Sequence, residues 1–145
     1  MKISSFDEKM LYAAYKEAEN SDFDVFHVGC VIVYKHHIIG AACNSDKTHP
    51  MQARYNQYRN FNKTRSGIKH SVHAEIAAIN SIPYTIGREV EWSKVRVYIY
   101  RICPGRPGGY GLAKPCEACV QALRDMGIRH ICYTGNGSYI YEKLN

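Results

Sequence analysis

Residues 71–80 read SVHAEIAAIN. The apolar run Ile76, Ala77, Ala78 and Ile79 reads as a short core helix, which puts His73 and Glu75 in its first turn. Each helical residue advances by about 100°, so residues two apart point about 200° apart and share no side face. Both reach one object only if it lies off the N-terminal end of the helix. A second stretch supplies what can lie there. Residues 115–127, PCEACVQALRDMG, carry proline at a helix start and glycine at its end. Cys116 and Cys119, three apart, fall on one face of that first turn.

Two helix N-termini, one offering an imidazole and the other two thiols, make a three-ligand set suited to zinc. The partial positive charge of a helix N-terminus favours the thiolate form that binds metal. Three protein ligands leave the fourth tetrahedral position open, as in catalytic sites, where bound water becomes acidic near neutral pH. Glu75 is then left to accept a proton instead of binding the metal. Neither motif decides this alone. H-x-E triplets are mostly incidental, and C-x-x-C also serves structural zinc sites and redox pairs. A redox pair usually follows an early strand of a βαβ unit, whereas this one comes late. A structural site normally has four ligands. His70, one turn before His73, is a candidate fourth, but a loop histidine beside Lys69 reads as solvated.

The remaining chain fits around these motifs. Its 145 residues suit one domain, 1–145, with 46% hydrophobic and 22% charged residues as in ordinary globular proteins. The first twenty residues show no uninterrupted apolar stretch, and nothing approaches the roughly 18 apolar residues of a membrane span. A cytoplasmic protein with no membrane partner is the expectation. Six cysteines then read as reduced thiols, with Cys30, Cys43, Cys103 and Cys132 buried in or beside apolar strands.

Ser5 followed by Glu8 matches a capping box, and Met10, Leu11, Ala14, Tyr15 and Ala18 continue at helical spacing over about residues 5–20. FHVGCVIVYK (26–35) and HIIGAACN (37–44) read as strands joined by a turn near His36 and His37. Pro50, after Thr48, opens a helix over 51–61, with 62–70 a loop. SIPYTIG (81–87) is also a loop, KVRVYIYRI (94–102) a strand and CPGRPGGYGLAK (103–114) a non-regular connector. IRHICYTGNGSYIYEKLN (128–145) reads as two strands around a Gly-Asn-Gly turn. The fold class is α/β: a three-layer α-β-α sandwich with a mixed central sheet of about five strands and a C-terminal antiparallel hairpin.

The pattern H-x-E followed by P-C-x-x-C resembles the signature of zinc nucleobase deaminases. Across essentially its whole length the chain resembles the cytidine deaminase-like superfamily. The resemblance implies Zn2+ as cofactor, His73, Cys116 and Cys119 as its ligands and Glu75 as general acid/base. It sets Asn44 against the substrate, turns the backbone of Ala74 to the base's carbonyl edge, and implies a homo-oligomer. Histidine at position 73 is similar to deoxycytidylate, tRNA-adenosine and polynucleotide cytosine deaminases, since free-cytidine deaminases more often have cysteine there. The closing hairpin instead resembles cytidine and blasticidin-type deaminases and several bacterial toxin or editing deaminases.

Charge bears on the substrate. Residues 45–72 form a basic insert with six basic residues against one acidic, a net +5 of the chain's +6. Arg54, Arg59, Lys63 and Arg65 are candidate phosphate or nucleic-acid contacts. Tyr55, Tyr58 and Phe61, interleaved with them, read as a packing face, the alternative being stacking on a single strand. Tyr110, in the connector leading to the thiols, is a candidate substrate contact on a segment that is either a lid or a flexible connection. The leading expectation is zinc-dependent hydrolytic deamination of cytosine in a free (deoxy)cytidine nucleoside or nucleotide, a small-molecule substrate. The alternative is deamination of cytosine, less readily adenine, in single-stranded DNA or RNA. A non-catalytic zinc-stabilised nucleic-acid-binding module is the remote third, for which Glu75 is dispensable.

Overall fold

Apolar side chains along the central strands alternate between two faces, and both faces are buried. A computed structural model describes residues 3–59 and 70–145. Its elements are α1 (Ser5–Ala18), β1 (His27–Tyr34), β2 (His37–Cys43), α2 (Pro50–Tyr55), α3 (Ala74–Ser81), α4 (Tyr84–Gly87), β3 (Arg96–Ile102), β4 (Tyr110–Gly111), α5 (Glu117–Met126), β5 (His130–Thr134) and β6 (Tyr139–Lys143). From β1, β3 and β5, Cys30, Ile32, Val97, Ile99, Ile131 and Tyr133 pack on one side with residues of α2, α3 and α5. The intervening Val31, Val33, Tyr98, Tyr100 and Cys132 pack on the other side with Met10, Leu11 and Ala14 of α1. Side chains of period two must find cover on both faces, so the outcome is the three-layer sandwich.

The strand order is β2-β1-β3-β5-β6, with β4 paired to β3, and the sheet is mixed. β3 and β5 run parallel, joined through α5, while β5 and β6 form the expected antiparallel hairpin. The sixth strand comes from the connector. Residues 103–114 are not wholly irregular: Tyr110 pairs with Ile102 and Gly111 with Arg101. At Gly29 a Cβ would fall 2.0 Å from the Ala14 carbonyl oxygen and 2.4 Å from the Ala18 nitrogen. Glycine there lets α1 lie directly on the β1 backbone.

Several boundaries differ from the sequence reading. The α1 capping box is Ser4–Asp7, not Ser5–Glu8: the Ser4 hydroxyl accepts from Asp7 N, and the Asp7 carboxylate accepts from Ser4 N at 3.0 Å. Tertiary contacts choose this frame. Asp7 is 3% exposed and accepts from Arg96 at 2.9 Å and from the Tyr98 hydroxyl, partners that Glu8, on the exposed side, does not have. Burial alone pushes the Asp7 carboxyl up, but hydrogen bonds from Tyr98, Ser4 and Arg96 outweigh it and leave the pKa lowered.

The β1–β2 turn falls one residue early, at Lys35 and His36, whose φ values of 49° and 66° give the left-handed pair that a two-residue hairpin turn requires. The His36 ring packs on Phe6 with centroids 4.7 Å apart. His49 caps α2, its Nδ1 accepting from Met51 N at 3.0 Å, with Pro50 in the first turn as expected. The helix expected over 51–61 is α2 followed by a 3-10 turn at Asn56–Tyr58, after which Arg59 is extended. Phe61 and the expected loop at 62–69 lie outside the described residues. Residues 84–87 form α4 where a loop was expected. All six cysteines are free thiols, but Cys43 and Cys103 are only partly buried.

Asp7→Ala is expected to lower unfolding stability by about 2–4 kcal/mol, from the lost cap and the orphaned Tyr98 hydroxyl. Because the folded-state pKa of Asp7 is lowered, its contribution is present above the ordinary aspartate value of 3.8 and fades as pH falls through the lower folded value. Urea unfolding of both proteins at neutral and acidic pH checks this: the gap should be full at pH 7 and shrink on acidification below the ordinary value.

Candidate metal centre and cavity

The N-termini of α3 and α5 meet at the carboxyl end of β3. His73 and Cys116 are the N-cap residues of the two helices, both in extended backbone conformation. An N-cap side chain usually bonds back to the first turn. Neither of these does, so both are turned to each other. His73 Nδ1 lies 3.5 Å from Cys116 Sγ and 3.3 Å from Cys119 Sγ. All three donor atoms fall within 4.8 Å of one another. Tetrahedral zinc with ordinary Zn–S and Zn–N bonds has ligand-to-ligand edges of about 3.5–3.8 Å, so donor chemistry and spacing both fit that ion.

The two thiols are coupled through a hydrogen bond. A hydrogen bond from Cys119 holds Cys116 down to about 3, against the effect of burial and with help from His73. The same pairing and then burial push Cys119 well above its ordinary value. His73 is raised: burial opposes its charge, but the Cys116 hydrogen bond and Glu75 outweigh that. Glu75, on the first turn of α3 and 5% exposed, is raised by burial, with His73 partly offsetting it.

A buried polar chain holds the histidine in place. Gln52, fully buried on α2, accepts from the His73 backbone N–H at 2.9 Å and donates to Asn56 Oδ1 at 2.8 Å. Asn56 Nδ2 lies 2.8 Å from His70 Nδ1. His70 therefore belongs to this support and not to the donor set, which among the described residues is His73, Cys116 and Cys119. Arg59 Nη1 stands 3.4 Å from His73 Nε2. When Nδ1 ligates a metal, Nε2 carries the ring proton, and Arg59 then stands beside it as a charge and not as a hydrogen-bond donor.

Beside the donors opens a cavity of about 230 Å³, lined by Phe26, Val28, Asn44, Arg59, His73, Ala74, Glu75, Arg101, Leu112, Ala113, Lys114 and Cys116. Asn44 lines it while tying two chain segments together. Its Oδ1 accepts from the Ser21 hydroxyl at 2.6 Å and Val28 N at 3.0 Å, and its Nδ2 donates to Phe26 O at 3.1 Å. One Nδ2 proton remains for a ligand.

Tyr110 is not among the cavity residues. It packs between Tyr100 and Tyr139, with ring centroids 5.9 and 5.1 Å away, on the α1 side of the sheet. Strand alternation explains this: Gly111 pairs with Arg101 on the cavity side, so Tyr110 must face the other way. The connector is also pinned and does not hang free. Thr134 Oγ1 donates to Gly111 O at 2.6 Å, and Ala113 N donates to Thr134 O at 2.8 Å. Arg54 is exposed, with its guanidinium 5.2 Å from the Tyr55 ring, and does not line the cavity. Lys63 and Arg65 lie outside the described residues. Tyr55 is buried and bonds Asp125 at 2.7 Å, whereas Tyr58 is 47% exposed.

The sequence reading passed over Gln52, Asn56, Phe26, Arg101 and Lys114. Two signals pointed to some of them. Gln52 and Asn56 are four apart on the same helical face as Tyr55, and Arg101 occupies a position whose alternation partners are Val97 and Ile99.

A three-donor N/S centre at two helix starts, with a buried carboxylate beside it, defines a zinc site with room for a fourth ligand. The model of the cytidine and deoxycytidylate deaminase zinc-binding region matches residues 4–134, and the chain belongs to that family. Among solved structures, cytidine deaminase from Burkholderia pseudomallei is similar, with 16% identity and TM-score 0.60 over 94% of this chain and 91% of that one. The dCMP deaminase of cyanophage S-TIM5, in complex with dCMP and dUMP, matches with 16% identity and TM-score 0.57 over 93% of this chain and 84% of that one. At these identities the likeness is one of fold. No curated protein sequence matches the chain significantly. No described helix is long and apolar enough to cross a membrane.

His73→Ala, Cys116→Ala and Cys119→Ala should each reduce bound zinc from about one ion per chain to background, measured by atomic emission. Gln52→Leu should keep zinc but weaken its affinity by about tenfold in chelator competition.

Proposed function

We propose that this chain hydrolyses cytosine to uracil in a free (deoxy)cytidine nucleoside or nucleotide. The observation that carries the reading is Glu75, buried between the His73–Cys116–Cys119 donor set and a cavity with room for one base and its sugar. Those three residues hold zinc, which when bound makes water acidic near neutral pH. The chain's own residues do the rest. Glu75, as carboxylate, takes a proton from the attacking water and delivers it to the ring nitrogen next to the amino-bearing carbon. It then takes the proton of the newly added hydroxyl, as that oxygen becomes the carbonyl, and passes it to the departing amine. The carbon–nitrogen bond breaks, a carbon–oxygen bond forms, water is consumed and ammonia leaves. A carboxyl raised by burial suits both halves of that exchange. Ala74, at the helix start where N–H groups have no intrahelical partner, donates to the base's carbonyl, and Asn44 offers its remaining Nδ2 proton to the substrate.

The second reading, deamination in a single strand, is favoured by one observation: the basic segment reaches the cavity at Arg59. Self-association is part of the proposal by family likeness, supported by Tyr84 and Ile86, 81% and 40% exposed on α4. A cytoplasmic location is proposed on the six free thiols, which suit a reducing compartment.

An ammonia-release panel with the zinc-loaded protein tests the reading, using cytidine, deoxycytidine, CMP, dCMP, adenosine and cytosine-containing single-stranded DNA and RNA. Monomer turnover is the expected result, and turnover of oligonucleotide alone overturns it. Glu75→Gln should lower kcat by about 10²- to 10⁴-fold with zinc content and melting temperature retained. A non-catalytic zinc module would be indifferent to that change, so a near-wild-type rate refutes the role of Glu75.

A further inference from the structure

Strand β3 carries an arginine near each end, and the two meet different surroundings. Arg96 faces the α1 side and pairs with Asp7 at 2.9 Å. Arg101 faces the α3/α5 side, beside its β1 neighbour Val28, and both line the cavity at the metal centre. Its Nε is buried without a hydrogen-bond partner among the described residues. The guanidinium carbon stands over Phe26, 5.1 Å from the ring centroid, a contact that gives Nε no acceptor. Lys114 and Arg59 line the same cavity, and Glu75 is the one acid among the described lining residues. Lys114 has an acidic neighbour, Glu142, but at 3.9 Å with its own side chain 57% exposed.

A buried guanidinium nitrogen without an acceptor is costly to keep unless a ligand supplies one. Cytosine and its sugar bring no negative charge, whereas a 5′-phosphate brings acceptor oxygens matched to the guanidinium fork. We propose that Arg101, held against Phe26, is the residue that reads a substrate phosphate, so that the substrate is a cytosine nucleoside monophosphate and not the nucleoside. This inference rests on the deaminase reading of the same cavity. Lys114 adds charge at the rim, and Arg101 determines specificity without taking part in the chemistry.

The test compares kcat/KM for dCMP and deoxycytidine, and for CMP and cytidine, in the zinc-loaded wild type, Arg101→Met and Arg101→Lys. The wild type should prefer the monophosphate. In Arg101→Met that preference should fall by about 10- to 100-fold, and Arg101→Lys should keep part of it. Because both substrates are measured on one preparation, lost fold or lost zinc cancels in the ratio, and the lysine variant serves if the methionine one does not fold. Equal rates for nucleoside and nucleotide, an unchanged ratio in Arg101→Met, or turnover of oligonucleotide alone would each overturn the assignment. Calorimetry with dUMP and deoxyuridine separates the two proposals. Tighter dUMP binding that Arg101→Met abolishes, without ammonia release from any cytosine compound, leaves the subsite standing and removes the deaminase reading. Ammonia release with equal binding of dUMP and deoxyuridine does the reverse.

Discussion

The site depends on keeping two helix starts within a few ångströms of each other, because one ion must find one donor on α3 and two on α5. The sheet sets that distance. α5 connects the parallel neighbours β3 and β5, so its N-terminus has to emerge at the carboxyl end of β3. α3 packs on β1 and β2 through Ile76 and Ala78, both fully buried, and delivers His73 to the same end. Ligand sites of open α/β sheets lie outside the carboxyl ends of strands for this reason. Neither helix could shift along the sheet without pulling apart three donor atoms that lie within 4.8 Å of one another.

Around that junction the cavity wall is built from backbone and not from free loops. Thr134, fully buried at the end of β5, accepts from Arg101 N at 3.2 Å and donates to Gly111 O at 2.6 Å. One side chain thus fastens β3, β4 and the approach to Cys116. Asn44 does similar work on the opposite wall, tying the 21–28 segment to the end of β2. An asparagine expected to face the substrate spends three of its four hydrogen-bonding positions on the protein.

The sequence carried the metal centre and the sandwich because both are written in short-range spacing: two motifs at two helix starts, and strands of alternating apolar residues. What it concealed was decided across long separations. Ser4–Asp7 and Ser5–Glu8 are equally good capping boxes locally, and only Arg96 and Tyr98, far along the chain, select the first. Tyr110 looked like a cavity residue because it is close in sequence to Cys116. Its side is fixed by a two-residue strand that no periodicity rule can detect, and that strand turns it toward Tyr100 and Tyr139. Gln52 was masked by the charges around it, although a glutamine four residues from an asparagine on a helix that also buries Tyr55 is a legible polar pair.

That last point changes how the basic segment 45–72 should be understood. Read as charge alone, it is a surface that could be added to any deaminase to attract phosphate. Its first helix and the 3-10 turn that follows, however, turn Gln52, Tyr55 and Asn56 inward, and through Gln52 the segment holds the backbone of His73 at the candidate metal centre. Arg59, at the end of the same short element, is placed at the far ring nitrogen of that histidine. Electrostatic attraction and metal-site geometry therefore share one structural support. The segment cannot be exchanged for another basic stretch on charge alone: any replacement must also present a buried amide to His73.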